Sequence, residues 1–173
     1  MIGGILWRRL DVPGHDACRL LRSDAGWQLE GAAAFRHERN PRAPGYRVAC
    51  DEAWRTSEGR VSGWIGSQAV ELIARRTADR GWTLNGVVVP QLEACFDLDL
   101  GFTPATNLCQ LRRLALGEGE GADSPVAWLD AAAGTLDLLH QRYERRRLET
   151  YWCEAPSFWP PALARQALRL PIV

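Results

Sequence analysis

Two aspartates, Asp97 and Asp99, stand two residues apart in the segment FDLDLGFTPATNLCQLRRLAL, residues 96–116. On an extended backbone side chains alternate, so both carboxyls project to one face, and Phe96, Leu98 and Leu100 project to the other. Such a pair could serve as general acid and base, or hold a divalent cation. It could equally form a buried network with arginine, since Arg112 and Arg113 follow in the same segment. The spacing predicts a turn over GFTPATN, with Thr103 held extended by Pro104, and a returning strand over QLRRLAL. Strand alternation would then send Arg112 and Arg113 to opposite faces, so that one of them meets the acids. Asn107 is one of only three asparagines; its side chain either caps the turn or reaches a ligand.

Other chemistries have less support. His15, His37 and His140 show no metal-ligand spacing, and no G-x-S-x-G marks a hydrolase serine, so neither a metal site nor a serine triad is expected. All 21 basic residues are arginine. Without lysine there is no Schiff base to pyridoxal phosphate and no phosphate-loop or kinase-type lysine. No cofactor is expected. Five cysteines, Cys18, Cys50, Cys95, Cys109 and Cys153, lie far apart with no C-x-x-C, which reads as core packing rather than as a disulfide framework. A nucleophilic Cys109 or Cys50 working with His140 is the alternative. The cluster HQRYERRR, 140–147, reads as a solvated face or a nucleic-acid contact; the equal count of 21 acidic residues favours the solvated face and no nucleic-acid partner. Eight tryptophans either fill the core or line a groove for an amphipathic ligand.

The elements that must position these residues read as β structure. Sixteen glycines and ten prolines punctuate the chain at short intervals. DAGWQLEG (24–31) and DRGWTLNG (79–86) share D-x-G-W-x-L-x-G, and each predicts the second strand of a hairpin with glycine in the turn. In PGYRVACDEAWRT (44–56), Tyr46, Val48 and Cys50 alternate with Arg47, Ala49 and Asp51. RVSGWIGSQAVELIARRT (60–77) predicts a β run bent at Gly63 and Gly66. GEGEGADSP (117–125) predicts a mobile connection, and VAWLDAAAGTLDLL (126–139) a strand, a turn at Gly134 and a strand. Local propensity in 136–152 leans helical, and PPALARQALRL (160–170) predicts a helix started by its prolines. At 173 residues the chain reads as one domain, 1–173, able to bury about 70% of its unfolded surface. MIGGILWRRLDVPGHD lacks the order of a signal peptide, and no apolar run reaches a membrane span, so a cytoplasmic protein without integral membrane contact is expected.

These motifs resemble the bacterial family named Putative glycolipid-binding. Its pattern D-x-D-x-x-x-T-P-x-T-N followed by R-R-L is matched by Asp97, Asp99, Thr103, Pro104, Thr106, Asn107, Arg112, Arg113 and Leu114. Its D-x-x-W-x-T strand is similar to Tyr46, Asp51, Trp54 and Thr56, and its Q-x-Y to Gln141 and Tyr143. ALARQALRLPIV at the end departs from the family's acidic turn and Tyr-Pro. The resemblance implies a mainly β fold, an antiparallel, strongly curved sheet forming a β-roll or incomplete barrel similar to lipoprotein carriers, with at most one or two short helices. It turns 136–152 towards strands. It implies a lipid or glycolipid partner, its tail in a sheet-lined cavity and its head met by Asp97, Asp99, Asn107, Arg112, Arg113, Tyr46, Trp54, Gln141 and Tyr143. Two alternatives stay open: a hydrolase or isomerase using Asp97 and Asp99 on a sugar-like or lipid-like substrate, and a protein-interaction module.

Overall fold

The computed structural model describes residues 2–37, 40–79, 81–155 and 165–169. Period-two alternation governs the first half of the chain. Eight strands, β1 (Gly3–Arg8), β2 (Gly14–Ser23), β3 (Gly26–His37), β4 (Asn40–Cys50), β5 (Thr56–Ile65), β6 (Gln68–Thr77), β7 (Gly81–Leu84) and β8 (Val87–Val89), pair in sequence order into one antiparallel sheet. One face is apolar and buried: Cys18 and Leu20 of β2, Leu29 and Phe35 of β3, Tyr46, Val48 and Cys50 of β4, Val61 of β5, Leu72 and Ala74 of β6, and Trp82 of β7. The registers Leu20↔Leu29, Leu29↔Val48, Tyr46↔Val61 and Val61↔Leu72 keep these side chains in step across the sheet. The opposite face carries a charge ladder, in which Glu30 pairs with Arg19 and Arg47 and Glu58 pairs with Arg60 and Arg75.

Both D-x-G-W echoes are second strands of hairpins, as their chemistry predicts. Gly26 (φ 136°) and Gly81 (φ 65°) open β3 and β7 with backbone angles that side chains avoid. The stretch 60–77 is not one bent run but a hairpin, because Gly66 (φ 61°) forms the turn between β5 and β6.

A second layer covers the apolar face. It begins at β9 (Asp97–Asp99) and α1 (Asn107–Leu114), and continues as β10 (Gly121–Asp123), β11 (Val126–Asp130), β12 (Thr135–Leu139), β13 (Arg142–Arg147), β14 (Thr150–Glu154) and β15 (Arg165–Arg169). One three-stranded sheet runs β12-β11-β9 and a four-stranded one runs β10-β13-β14-β15. Leu98, Leu100, Ala105, Cys109, Ala127, Leu129 and Leu136 of this layer share one core with Leu20, Val48, Val61 and Trp82 of the large sheet.

The mainly β architecture with a single short helix among the described residues is thus observed. Two particulars differ from expectation. β9 pairs with β11 in parallel, so pairing is not wholly antiparallel. The large sheet is open, with β1 and β8 as its two edges, and among the described residues no sheet is strongly curled into the roll that was expected.

The returning strand expected over QLRRLAL is instead helix α1. Leu108, Leu111 and Leu114 recur every third residue, which suits a helix face and scatters across a strand. The chain enters it through a tight turn in which the Asn107, Leu108 and Cys109 amides bond to the carbonyls of Pro104, Ala105 and Thr106. Ala115, in the left-handed conformation (φ 48°, ψ 39°), ends it by donating its amide to the Leu111 carbonyl.

The connection 117–125 contains strand β10, held by β13. The turn at Gly134 between two strands is found, and 136–152 is strand, as the resemblance implied and against local helical propensity. Of the helix expected over 160–170, residues 165–169 are strand β15, and the remainder lies outside the described residues. No helix among the described residues is long and apolar enough to cross a membrane.

Candidate functional site

β9 carries both acids, and each carboxyl has a different set of partners. The Asp97 side chain is fully buried. Its Oδ2 accepts hydrogen bonds from Arg113 Nε (2.9 Å) and Nη2 (2.5 Å), and the same Nη2 donates to Ser124 Oγ (3.0 Å). Burial pushes the Asp97 carboxyl up, against the pull of the Arg113 guanidinium. The helix selects the arginine: successive residues are rotated by about 100° on α1, so Arg113 faces β9 while Arg112 is turned towards Trp54. The Arg112 Cζ lies 5.9 Å from that indole ring. One arginine thus meets an acid, Asp97, though on a helix rather than a strand.

Asp99 has no cation. Its Oδ1 accepts from the Gly101 amide (2.6 Å) and its Oδ2 from Gln141 Nε2 (2.7 Å). Burial raises this carboxyl too, opposed only by those two bonds. Gly101 is required here. Its φ is 65°, and a Cβ would stand 2.5 Å from Trp128 Nε1. The network continues outward from Gln141, because the Tyr143 hydroxyl lies 3.2 Å from Gln141 Oε1 and 2.8 Å from Asn107 Oδ1, to either of which it can donate. Tyr143 is wholly buried and its hydroxyl is pushed well up. Asn107 therefore does not cap the turn with its side chain; it fastens the first turn of α1 to β13.

Tyr46 belongs to a third cluster. Its hydroxyl donates to Asp16 (3.1 Å to Oδ1), and Thr103 Oγ1 donates to Asp16 Oδ2 while accepting from the Ala105 amide at 3.1 Å. Burial raises Asp16 despite these two donors.

The D-x-x-W-x-T residues build the neighbouring corner. Asp51 Oδ1 accepts from the Arg55 amide (2.8 Å), and Trp54 (φ 65°) stacks on Trp27 with ring centroids 4.4 Å apart and planes 12° apart. Thr56 Oγ1 accepts from the Leu98 amide at 3.3 Å, and the Thr56 amide donates to the Phe96 carbonyl at 2.9 Å. These two bonds hang β9 from β5.

The nine residues singled out from the sequence therefore surround one segment, 96–114, without converging on one cleft. Asp99, Gln141, Tyr143 and Asn107 form one connected network. Asp97 with Arg113, Tyr46, and Trp54 with Arg112 each stand apart from it. Chemically, a raised carboxyl such as Asp99 suits a proton donor, but both acids are buried within the second layer rather than set in an open cleft.

Cys50 and Cys109 are buried with their Sγ atoms 3.3 Å apart, and His140 is exposed with no hydrogen bond to either among the described residues. The neighbouring Cys50 thiol and burial push the Cys109 thiol well up, which makes it inert as a nucleophile. Among the described residues no three His, Cys, Asp or Glu side chains are grouped to hold a metal ion. In the basic cluster, Arg142 pairs with Asp123 and Arg146 with Glu144 on the solvated side of β13.

Three members escaped the reading of the sequence. Asp16 left a signal: it falls in step with Cys18 and Leu20, an acid on an apolar face. Ser124 left none. Gln110, wholly buried with neither amide atom hydrogen-bonded among the described residues, shares its helix face with Thr106, four residues earlier.

The fold has a solved counterpart. A DUF1089 family protein from Pseudomonas aeruginosa superposes with a TM-score of 0.75 at 23% identity, covering 95% of this chain and 87% of that one, which shows the shared fold. No curated protein matches the chain. A family model described as Putative glycolipid-binding spans residues 4–161, and with it the Asp97–Leu114 motif and its partners: the chain belongs to this family.

Proposed function

We propose that this protein binds a glycolipid or a related lipid. The apolar tail lies against the apolar face of the large sheet, and the polar head rests on the corner that carries Trp54 and Arg112. Family membership supports the ligand class. The observation that carries the placement is the half-buried Trp27–Trp54 stack, flanked by guanidiniums at 4.5 Å (Arg22 on Trp27) and 5.9 Å (Arg112 on Trp54). Such a surface offers an apolar body for chain or sugar and donors for a head group.

Asp97, Asp99, Asn107, Tyr46, Gln141 and Tyr143 bond to other protein groups. In this reading they clamp the 96–114 segment over the sheet, and the tail enters as that segment lifts. The five cysteines are free thiols, which suits a carrier in a reducing cytoplasm.

Native mass spectrometry of the purified protein, followed by extraction and lipid analysis, tests the reading. The expected result is a stoichiometric adduct of lipid mass, weakened in Trp54→Asn, a replacement that tolerates the left-handed backbone. A clean mass of the bare chain, unchanged after incubation with a galactolipid and with total bacterial lipid, would overturn it.

A further inference from the structure

Around the Phe96 ring three arginines gather, of which the clamp uses only Arg113, through Asp97. The Arg76 Cζ lies 4.8 Å from the ring centroid, Arg55 5.2 Å and Arg113 5.5 Å. No two of these guanidinium carbons are therefore more than about 11 Å apart, close enough for mutual repulsion that water only partly screens. Each comes from a different element: Arg55 from the turn after β4, Arg76 from β6, Arg113 from α1.

Asp97 bonds to Arg113 and also attracts Arg76 through space, so one carboxylate faces three guanidiniums; Asp51 and Glu93 accept from the backbone amides of Arg55 and Gln91. Arg55 and Arg76 form no ion pair among the described residues; Arg76 Nε donates to the Cys95 carbonyl at 2.9 Å, and Arg55 is exposed with no side-chain hydrogen bond. Two cations thus share one half-buried aromatic floor with their remaining donors open. That arrangement fits a ligand oxyanion, because planar guanidinium forks bond oxygen in pairs and an aromatic floor holds them in place.

We propose that Arg55, Arg76 and Arg113 around Phe96 form a recognition site for a tetrahedral oxyanion, a phosphate or sulfate group. The site adjoins Trp54 through Arg55. On the lipid-binding reading, this makes the head group an anionic one; the anion chemistry itself does not depend on that reading.

The test separates the two. Inorganic phosphate is titrated calorimetrically at constant ionic strength, and the protein is separately bound to phosphatidylcholine vesicles with and without phosphatidylglycerol, and to a neutral galactolipid. The expected result is phosphate binding, and at least tenfold tighter binding to the phosphatidylglycerol vesicles. Arg55→Glu should weaken both at least tenfold; that residue is exposed and bonds through its backbone only, so the fold is retained. The double variant Arg55→Gln, Arg76→Gln should do the same, and Arg142→Gln, on the far strand β13, should change neither. Binding of phosphate without any lipid supports a soluble oxyanion ligand and overturns the lipid reading alone. Equal binding of the neutral galactolipid and the anionic vesicles, indifferent to Arg55→Glu, would overturn the oxyanion site and leave the lipid reading standing. Failure of every probe would overturn both.

Discussion

Asp99 shows how burial, rather than a charged partner, sets the behaviour of a carboxyl. Its two donors are an amide N–H and a neutral side-chain amide, and desolvation lifts it above the ordinary value of 3.8. A group raised in the folded state stabilises most below its unfolded value and loses that contribution as pH rises through its folded one. Asp16 and Asp97 are raised in the same sense, so folding stability should fall as pH climbs above the unfolded value of 3.8 and through the raised folded ones. Asp99→Asn should flatten that slope while keeping the fold. The Gln141 amide can flip to accept from the new NH2 and present its own NH2 to the Tyr143 oxygen, with Tyr143 still donating to Asn107. Thermal denaturation across pH checks this: a variant whose melting temperature stays parallel to that of the parent sinks the argument. The existence of an acid–arginine network was legible in the spacing of Asp97, Asp99 and the arginine pair. The partners were not, because Gln141 and Tyr143 lie some forty residues away and meet Asp99 and Asn107 only through strand pairing.

At the scale of elements, alternation made β2 to β7 readable, since each has one wet and one dry face. The signal weakened where elements are short. An eight-residue helix shows two turns of pattern, and its arginine pair reads equally as strand until the spacing of Leu108, Leu111 and Leu114 is weighed. Helical propensity misled in 136–152, where burial against neighbours decides.

The junction between layers is closest at Gly59 of β5, where a Cβ would fall inside the Leu98 side chain of β9. Both residues are buried, so Gly59→Ala should overpack the junction, cost about 2 kcal/mol and lower the melting temperature by roughly 4–8 °C. Leu98→Val in the same chain should recover part of that loss. Strict additivity in the double-mutant cycle would show that the two side chains do not meet.

For the whole molecule, composition and punctuation carried the β class, the turn signal at Gly134 carried β11 and β12, and the motif resemblance turned 136–152 towards strand. That the second layer contains a parallel pair was legible in neither, because β9 and β11 are matched across helix α1 and strand β10 rather than a hairpin. The strand order of the large sheet has a kinetic consequence. Each of its eight strands pairs only with its neighbours in sequence, so every ladder closes over a short loop and little chain entropy is lost before contacts form. The second layer must instead bring Leu98 to Thr56 and Gln141 to Asp99, each across a separation of 42 residues. Folding should therefore proceed in two stages, a meander of local hairpins and then the closing of 96–155 upon it. Hydrogen exchange should follow the reverse order, with the amides of β9 and α1 losing protection before those of β3, β4 and β5. An equal protection across both layers would mean that they fold as one unit; the expected gradient would leave the last-formed layer as the first to open, the movement that the proposed lipid entry requires.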